Sequence, residues 1–328
     1  MTALQISVAL PVRNGANFLA EALDSILAQT FPDFVLHISD NASDDATPEI
    51  LAAYVARDAR VQVSRSAELL GQVANMNRAV GLAQTPWVRM MCHDDLMRAD
   101  CMAQTVEAIG LVDQQVVLIG NDERHLFANG YLTPAQPDAP LQIFRGDEVL
   151  RRRFAGAGDA LMLPSITTVT LRKAAFDAHG GFDPRWVHFD IFCWSEMLVD
   201  ADYGFIPAQL TQNRIHGAQV AMAARGSLRS AIDHRAFVRE FVAQHGAAIK
   251  LDAQSRWRSK LIAPGYAASA IVAALRARNF TAATALVPRL PLAWLPLLPA
   301  LVPWAWRKEV RRLADLEGHV PLDLLYPD

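Results

Sequence analysis

The sequence predicts an α/β protein, with a mostly parallel sheet flanked by helices and a helical extension after it. Short apolar runs alternate with segments of helical periodicity through the first 120 residues. Polar residues follow the apolar runs, which is where ligands bind in open α/β sheets. After about residue 220 the composition changes to Ala-, Leu- and Arg-rich segments that are typical of helices.

The first part of the chain has a regular strand–helix order. Each predicted strand is a short apolar run, and each is followed by apolar residues at helical spacing. Repeated units of this kind favour parallel strands with helices on both faces of the sheet. The predicted strands are 6–10, 34–39, 61–64 and 87–91, and the predicted helices are 18–27, 43–56 and 71–83.

The middle of the chain is less regular. Residues 133–140 hold three prolines and are predicted to form a loop. We place a domain boundary near residue 220, with a catalytic α/β domain at 1–220 and a helical region at 221–328. The further predicted strands are 116–119, 169–171, 203–206 and 213–216, and a helix is predicted at 189–199.

Composition and charge exclude several classes of protein. Hydrophobic residues make up 52% of the chain and charged residues 20%, which fits a packed core and excludes general disorder. The net charge of −3 gives no indication of a nucleic-acid partner. Residues 221–328 nevertheless hold 15 Lys and Arg against 8 Asp and Glu, a net of +7, whereas residues 1–220 carry −10. The acidic part suits a metal or a cationic partner, and the basic part suits an anionic surface.

The cysteines and the N-terminal sequence bear on location. Cys92, Cys101 and Cys193 form no CxxC pair, which disfavours a disulfide scaffold and a structural zinc site. The opening MTALQISVAL lacks the features of a signal peptide. We therefore expect a cytoplasmic protein, with peripheral contact to the inner face of the cell membrane as a further expectation.

An acidic pair follows the fourth predicted strand. Asp94 and Asp95 come directly after an apolar run, and two adjacent carboxylates at a strand end suit Mg²⁺ or Mn²⁺ bound together with a diphosphate. Such a metal neutralises the charge that builds on a phosphate leaving group. Capping of the helix that begins near Cys101 is the alternative interpretation.

Three other positions could contribute to the same edge of the sheet. Asp40 follows the second strand and could accept hydrogen bonds from a base or ribose, although turn formation explains it equally. Asp190 begins a predicted helix and could act as a general base or simply as a cap. Arg214 and His216 end a strand, where a cation suits a diphosphate and an imidazole suits a metal, with a plain surface role as the alternative.

Several common catalytic motifs are absent. The segment after the first strand is LPVRNG, so no GxGxxG follows it, and the chain has no GxxxxGK[ST], GxSxG or HExxH. This disfavours a dehydrogenase, a P-loop kinase, an α/β-hydrolase and a zincin.

These pieces, in this order, resemble inverting glycosyltransferases of family 2, which have the GT-A fold. The resemblance covers about residues 1–220, and six weak motifs in the correct order make it specific. The matching segments are SVALPVRNGANFLAEALDSILAQTFPDF, HISDNASDDAT, GQVANMNRAVGLAQTPWV, MCHDDLM, HGGFDPRW with HFDIF, and NRIHG.

The resemblance implies a Rossmann-like GT-A domain and one in-line displacement at an anomeric carbon, with inversion and no covalent intermediate. The donor would be a UDP-, GDP- or dTDP-sugar, the acceptor a glycan or lipid-linked saccharide, and the cofactor Mn²⁺ or Mg²⁺. The implied roles are nucleotide binding for Pro11, Val12 and Arg13, base binding for Asp40, substrate binding for Asn77, ribose or sugar-phosphate binding for Asp94, metal binding for Asp95 with His216, and deprotonation of the acceptor hydroxyl for Asp190.

Three positions depart from the family pattern, and they bear on donor identity and metal affinity. Cys92 stands at the first acidic position, Phe189 replaces the usual acid before the base, and Met76 replaces a common Arg. The changes at Cys92 and Phe189 leave open a non-catalytic sugar-nucleotide-binding or scaffold subunit. A nucleotidyltransferase is disfavoured, because one Gly and one Arg follow the first strand instead of a Gly-rich basic loop.

Residues 221–328 have two interpretations. One is a helical extension that packs on the catalytic domain or forms an oligomer contact; the other is a membrane-surface site. The segment 285–306 is strongly apolar but carries five prolines, which argues against a straight membrane-spanning helix. The residues that suggest a membrane surface are Trp294, Trp304, Trp306, Arg307, Lys308, Arg311 and Arg312.

Overall fold

One mixed sheet of nine strands organises the part of the chain that the structure describes. The structure is a computed structural model, and it describes residues 6–127, 129–154, 163–216, 229–260, 268 and 271–272. The strands are β1 (Ile6–Val12), β2 (Val35–Asp40), β3 (Val61–Arg65), β4 (Trp87–Met90), β5 (Leu96–Met97), β6 (Val116–Phe127), β7 (Gln142–Arg145), β8 (Val169–Arg172) and β9 (Asp202–Ile215).

The order of the strands divides the sheet into two halves. The order is β3-β2-β1-β4-β8-β6-β9-β5, with β7 also paired to β9. The first four strands of this order are mutually parallel. β8 is antiparallel to both β4 and β6, whereas β6 and β9 run parallel. The carboxyl ends of β1 and β4 are therefore adjacent, as the predicted α/β class requires.

Helices cover both faces of this sheet. Their apolar residues form two buried clusters, one with α1, α2 and α4 and the other with α3, α5, α6, α7 and α8. The helices are α1 (Leu19–Leu27), α2 (Thr47–Arg57), α3 (Gln72–Leu82), α4 (Cys101–Leu111), α5 (Gly146–Phe154), α6 (Lys173–Ala178), α7 (Phe189–Met197), α8 (Arg229–His245) and α9 (Ala253–Ser259).

The central strand β1 is buried along its whole length, which explains its continuous apolar sequence. Side chains alternate between the two faces of a strand. Ala9 accordingly belongs to the cluster on the α3 face, while Val8 and Leu10 belong to the cluster on the α1 face.

Helix α2 begins at Thr47, four residues later than the sequence predicts. The residues before it are held by the loop after β1 instead of by helical hydrogen bonds. The Asn14 amide donates to Ser43 Oγ at 2.9 Å, and the Asp45 carboxylate accepts from the Ala16 amide at 3.1 Å. The Asp45 carboxylate also accepts from the Thr47 amide at 2.9 Å, and a local side-chain bond of this kind competes with helix formation, so the helix starts at Thr47.

The predicted strands 203–206 and 213–216 are one strand, β9, which spans fourteen residues. Polar residues interrupt its apolar pattern, because β9 lies near one edge of the sheet and its last residues contribute to the site. The short strands β5 and β7 were not predicted, since neither has an apolar run of its own. Residues 133–140 contain no regular element, in agreement with the predicted loop.

Two helices of the C-terminal region, α8 and α9, are described, and α8 packs on the same cluster as α7. Among the helices of the described ranges, none combines the length and the apolar character needed to cross a membrane. The segment 285–306 and the Trp and basic residues predicted to meet a membrane surface lie outside the described residues.

Gly120 on β6 provides a test of the packing between β6 and β9. A Cβ built at Gly120 would lie 2.1 Å from the buried Tyr203 hydroxyl, so Gly120→Ala should lower the free energy of unfolding by about 1–3 kcal/mol through overpacking. The Tyr203 hydroxyl has no hydrogen-bond partner among the described residues, so Tyr203→Phe should be close to neutral alone and should restore part of the loss in the double variant. Urea denaturation of the three variants measures this, and equal destabilisation with and without Tyr203→Phe would contradict it.

Candidate functional site

A cavity of about 580 Å³ opens at the carboxyl ends of β1 and β4. Its walls come from chain segments far apart in the sequence: residues 11–14, 92–95, 165–167 and 187–190, with Asn213 and His216 from the end of β9. This is the edge at which ligands bind in α/β sheets. Seven of the residues predicted for the site line this cavity: Pro11, Val12, Arg13, Asp94, Asp95, Asp190 and His216.

The loop after β1 builds one wall. The Arg13 guanidinium donates to the carbonyl oxygens of Asn41 at 3.1 Å and Ala42 at 3.3 Å, so it ties this loop to the loop after β2. Asn14 and Ala42 both have positive φ angles, of 50° and 52°. Asn tolerates this conformation and Ala does so at a cost, which indicates that the surrounding hydrogen bonds fix the two loops.

Two predicted residues, Asp40 and Asn77, lie outside the lining of the cavity. Asp40 is 1% exposed, and its carboxylate accepts from the Ser43 amide and the Arg65 guanidinium, each at 3.1 Å. Asn77 exchanges two hydrogen bonds of 2.8 Å with the backbone of Phe182. Both contacts are structural, and the substrate-binding roles of Asp40 and Asn77 stay predictions.

The acidic pair after β4 forms part of the cavity wall, and hydrogen bonds hold Asp95 in place. Asp95 is 2% exposed; its Oδ1 accepts from the Arg214 amide at 2.8 Å, and its Oδ2 accepts a short hydrogen bond from the Thr167 hydroxyl. Burial, and then the neighbouring Asp94, raise the pKa of the Asp95 carboxyl. A cation bound here would favour the ionised form, so the position is suited to one.

Asp94 and His216 form a second contact at this end. The His216 Nε2 lies 3.0 Å from Asp94 Oδ2, and the imidazole ring packs 4.8 Å from the ring of Phe18. In this arrangement the imidazole orients the Asp94 carboxylate. A direct ligand role for His216 stays a prediction.

Cys92, Asp94 and Asp95 could together hold a metal ion, because one ligand atom from each lies within 4.8 Å of the others. Burial and the Asp95 charge raise the pKa of the Cys92 thiol well above its usual range. A neutral thiol is a poor ligand for a hard cation, so the two carboxylates are the donors that fit Mg²⁺ or Mn²⁺.

The sequence suggests that Arg214 could bind a diphosphate, but in the structure its guanidinium has other partners. It donates to the Asp94 carbonyl at 3.0 Å and to Glu21 at 2.8 Å, and it lies over the ring of Phe18. Arg214 is not among the residues that line the cavity. Arg214 therefore supports the acidic pair from outside the cavity.

Asp190 lies in the first turn of α7 and lines the same cavity as the loop after β1. Burial raises the pKa of Asp190 to about 6, against hydrogen bonds from its own helix N-terminus that lower it. A carboxylate with a pKa near 6 is ionised at neutral pH and is still basic enough to accept a proton. The cavity position and the raised pKa are those that a general base needs, and the role of Asp190 as base stays a prediction.

Sequence reasoning missed the turn at Ile166–Thr168, which supplies Thr167 to Asp95. The buried Arg89 holds this turn: it donates to the Thr167 carbonyl at 2.8 Å and to Asn121 Oδ1 at 2.7 Å. A polar Ser-Ile-Thr-Thr run carries no periodicity that would have marked it. Arg89 would have been detectable only as a charge inside an apolar strand.

Comparison with known proteins assigns the class. Residues 7–136 match the family model described as glycosyl transferase family 2. Glycosyltransferase GlyG of Streptococcus pneumoniae is 28% identical over 172 residues, which is 50% of this chain and 56% of that protein. A PGL/p-HBAD biosynthesis glycosyltransferase of Mycobacterium bovis is 35% identical over 112 residues, which is 34% of this chain and 43% of that protein. The chain thus spans little more than half the length of the first of these relatives.

Two solved structures share the fold. Staphylococcus aureus TarS 1-349, in complex with UDP-GlcNAc, aligns with a TM-score of 0.53 at 15% identity, over 86% of this chain and 90% of that one. The mannosyltransferase PcManGT of Pyrobaculum calidifontis, in complex with GDP-Man and Mn²⁺, aligns with a TM-score of 0.58 at 17% identity, over 95% of this chain and 88% of that one.

The sheet order, the cavity at its carboxyl edge and these alignments show the GT-A fold. More particularly, residues 7–136 match glycosyl transferase family 2, and the relatives to which the chain is similar are glycosyltransferases. The predicted family resemblance and fold class are confirmed.

Proposed function

We propose that the protein transfers a sugar from a nucleotide-sugar donor to a saccharide or lipid-linked saccharide acceptor, with inversion at the anomeric carbon. The observation that carries this proposal is that Asp95 and Asp190 line one cavity together with the loop after β1. UDP-GlcNAc and GDP-Man bound to the two structural neighbours support a nucleotide sugar as the donor class. A thermal-shift screen of UDP, GDP, dTDP and CMP, each with and without Mn²⁺, tests the nucleotide.

In this proposal the loop at residues 11–13 binds the nucleotide, and Asp94 and Asp95 hold Mn²⁺ or Mg²⁺ at the diphosphate. When bound, such a cation neutralises charge on the leaving diphosphate. The oxygen of the acceptor hydroxyl attacks the anomeric carbon, and Asp190 accepts the proton of that hydroxyl. The bond between the anomeric carbon and the phosphate oxygen of the donor breaks. Asp190 ends protonated, and the nucleoside diphosphate leaves on the opposite face of the sugar.

Removal of the base should separate binding from chemistry. In Asp190→Asn, we expect turnover of the donor to fall about 10²–10⁴-fold with nucleotide affinity retained. The same change should raise the free energy of unfolding at pH 8 by about 1–3 kcal/mol, because the folded protein there holds a buried charge whose pKa lies above its unfolded value. This gain should disappear below the unfolded pKa, where both states are protonated.

Glu196→Gln is the matched control for Asp190→Asn. Glu196 lies on the same helix and pairs with His245, away from the cavity lining. Nucleotide release measured by a coupled assay compares the two variants. Wild-type turnover in Asp190→Asn would refute the proposed base. Nucleotide binding without turnover in the wild-type protein would favour the non-catalytic binding role.

The pH profile of turnover provides a separate prediction. Because the base acts in its ionised form, the rate should fall as pH drops through about 6 and should level off above that value. The acid limb of kcat against pH in the wild-type protein measures this. An acid limb centred near pH 4, the ordinary range of an aspartate, would contradict the buried base.

Thr167 allows the cation site to be tested without removing a ligand. In Thr167→Val, Asp95 loses its hydroxyl donor, so we expect Mn²⁺ affinity at pH 7 to fall about 10–100-fold. Thr105→Val is the matched control, because the Thr105 hydroxyl donates to the Cys101 carbonyl within helix α4. Electron paramagnetic resonance of free Mn²⁺ reports the affinity in both variants, and equal affinities would show that Thr167 does not support this site.

A further inference from the structure

The segment that leads into helix α7 lies on the cavity and contacts helix α8. Val187, His188, Phe189 and Asp190 all line the cavity. The Val187 amide donates to Asp233 Oδ2 on helix α8 at 2.9 Å. A side chain from another helix therefore fixes the backbone three residues before Asp190.

Helix α8 makes two further polar contacts with this segment. The His188 Nε2 lies 3.0 Å from Ser230 Oγ, and the Arg229 guanidinium donates to the Arg185 carbonyl at 3.0 Å. Arg229 also donates to Asp233 Oδ1 at 2.8 Å, one helical turn along. Asp233 is 5% exposed, so its carboxylate is enclosed between these partners. Enclosed, multiply bonded carboxylates hold their partners in one geometry.

Aromatic packing joins the two helices on the apolar side. The rings of Phe192 and Phe237 stack at 3.8 Å between centroids with an interplanar angle of 2°. Trp186 meets both rings edge-on, at 5.5 Å and 6.1 Å. The packing sets the distance between the helices, and the polar contacts then set the path of the segment between Trp186 and Asp190.

We propose that Asp233 is a positioning residue for Asp190: by holding the Val187 amide it fixes the segment 187–190 in the wall of the cavity. This inference rests on the proposed function, in which Asp190 is the base. It assigns α8, which lies beyond the matched region 7–136 and beyond the predicted 1–220 domain, to the completion of the site. Asp233 acts through the backbone and touches no reacting atom.

Asp233→Ala tests the proposal, with amide exchange and kinetics measured on the full chain. We expect faster hydrogen exchange at Val187, a fall in kcat of about 10–100-fold for the donor that the wild-type protein turns over, and a nucleotide Kd within about twofold of wild type. Asp233→Asn should recover most of kcat, since its amide oxygen can still accept from Val187. Should Asp233→Ala fail to fold, Asp233→Ser provides the same test, because its hydroxyl is too short to reach the amide.

Asp202→Ala is the matched control, because the Asp202 carboxylate also accepts from a backbone amide, that of Gly146 at 3.2 Å, and Asp202 is not among the cavity residues. It should leave kcat unchanged.

The acid limb of the pH profile gives a readout that loss of stability alone would not move. Loosening the segment admits water to Asp190, so its pKa should fall toward the ordinary value and the acid limb should shift to lower pH. The groups near Asp190 include Arg153 of α5, Cys193 of α7 and Cys92 after β4, and all are kept in the variant.

Wild-type kcat and acid limb in Asp233→Ala, with Asp190→Asn inactive, would overturn this inference alone. Full activity in Asp190→Asn would overturn the proposed role of Asp190 as base and this inference with it, while leaving sugar transfer itself in place.

Discussion

The enclosed carboxylate of Asp95 is the constraint on which the site depends. An ionised carboxylate removed from water is costly unless donors surround it. Here the donors come from two places: the Arg214 amide at the end of β9 and the Thr167 hydroxyl of the turn before β8. Satisfying one acid therefore aligns the ends of three strands. The same bonds turn that acid toward the cavity, where a cation would complete its coordination.

Two sets of contacts hold the segments that line the cavity, and the two sets differ in chemistry. At the loop after β1, the support is the Arg13 guanidinium, which joins two loops by donating to carbonyl oxygens. At the segment 187–190, the support is a contact from helix α8, in which the Asp233 carboxylate accepts from the Val187 amide. The first is local and belongs to the sheet. The second depends on a helix from the C-terminal region, so that region contributes to the site as well as to packing.

The sequence predicted the class, the edge of the sheet and the acidic pair, because apolar periodicity and strand-end polarity are local signals. Asp95 was found by its position at a strand end and Asp190 by its position at the start of a predicted helix, and both line the cavity. Asp40 follows its strand as the pattern requires, but Arg65 and the Ser43 amide occupy its carboxylate, which no local pattern reveals. Thr167 and Asp233 act through long-range contacts and carry no periodic signal, so only the folded chain identifies them.

The separation in sequence between Asp95 and Arg214 has a consequence for biosynthesis. The two residues are 119 positions apart, and their contact requires β9 to insert between β6 and β5. Closing so long a loop is entropically expensive and slows folding. A nascent chain still lacking β9 would display Asp95 with one of its two donors missing, and the cavity would be among the last parts of the molecule to take shape.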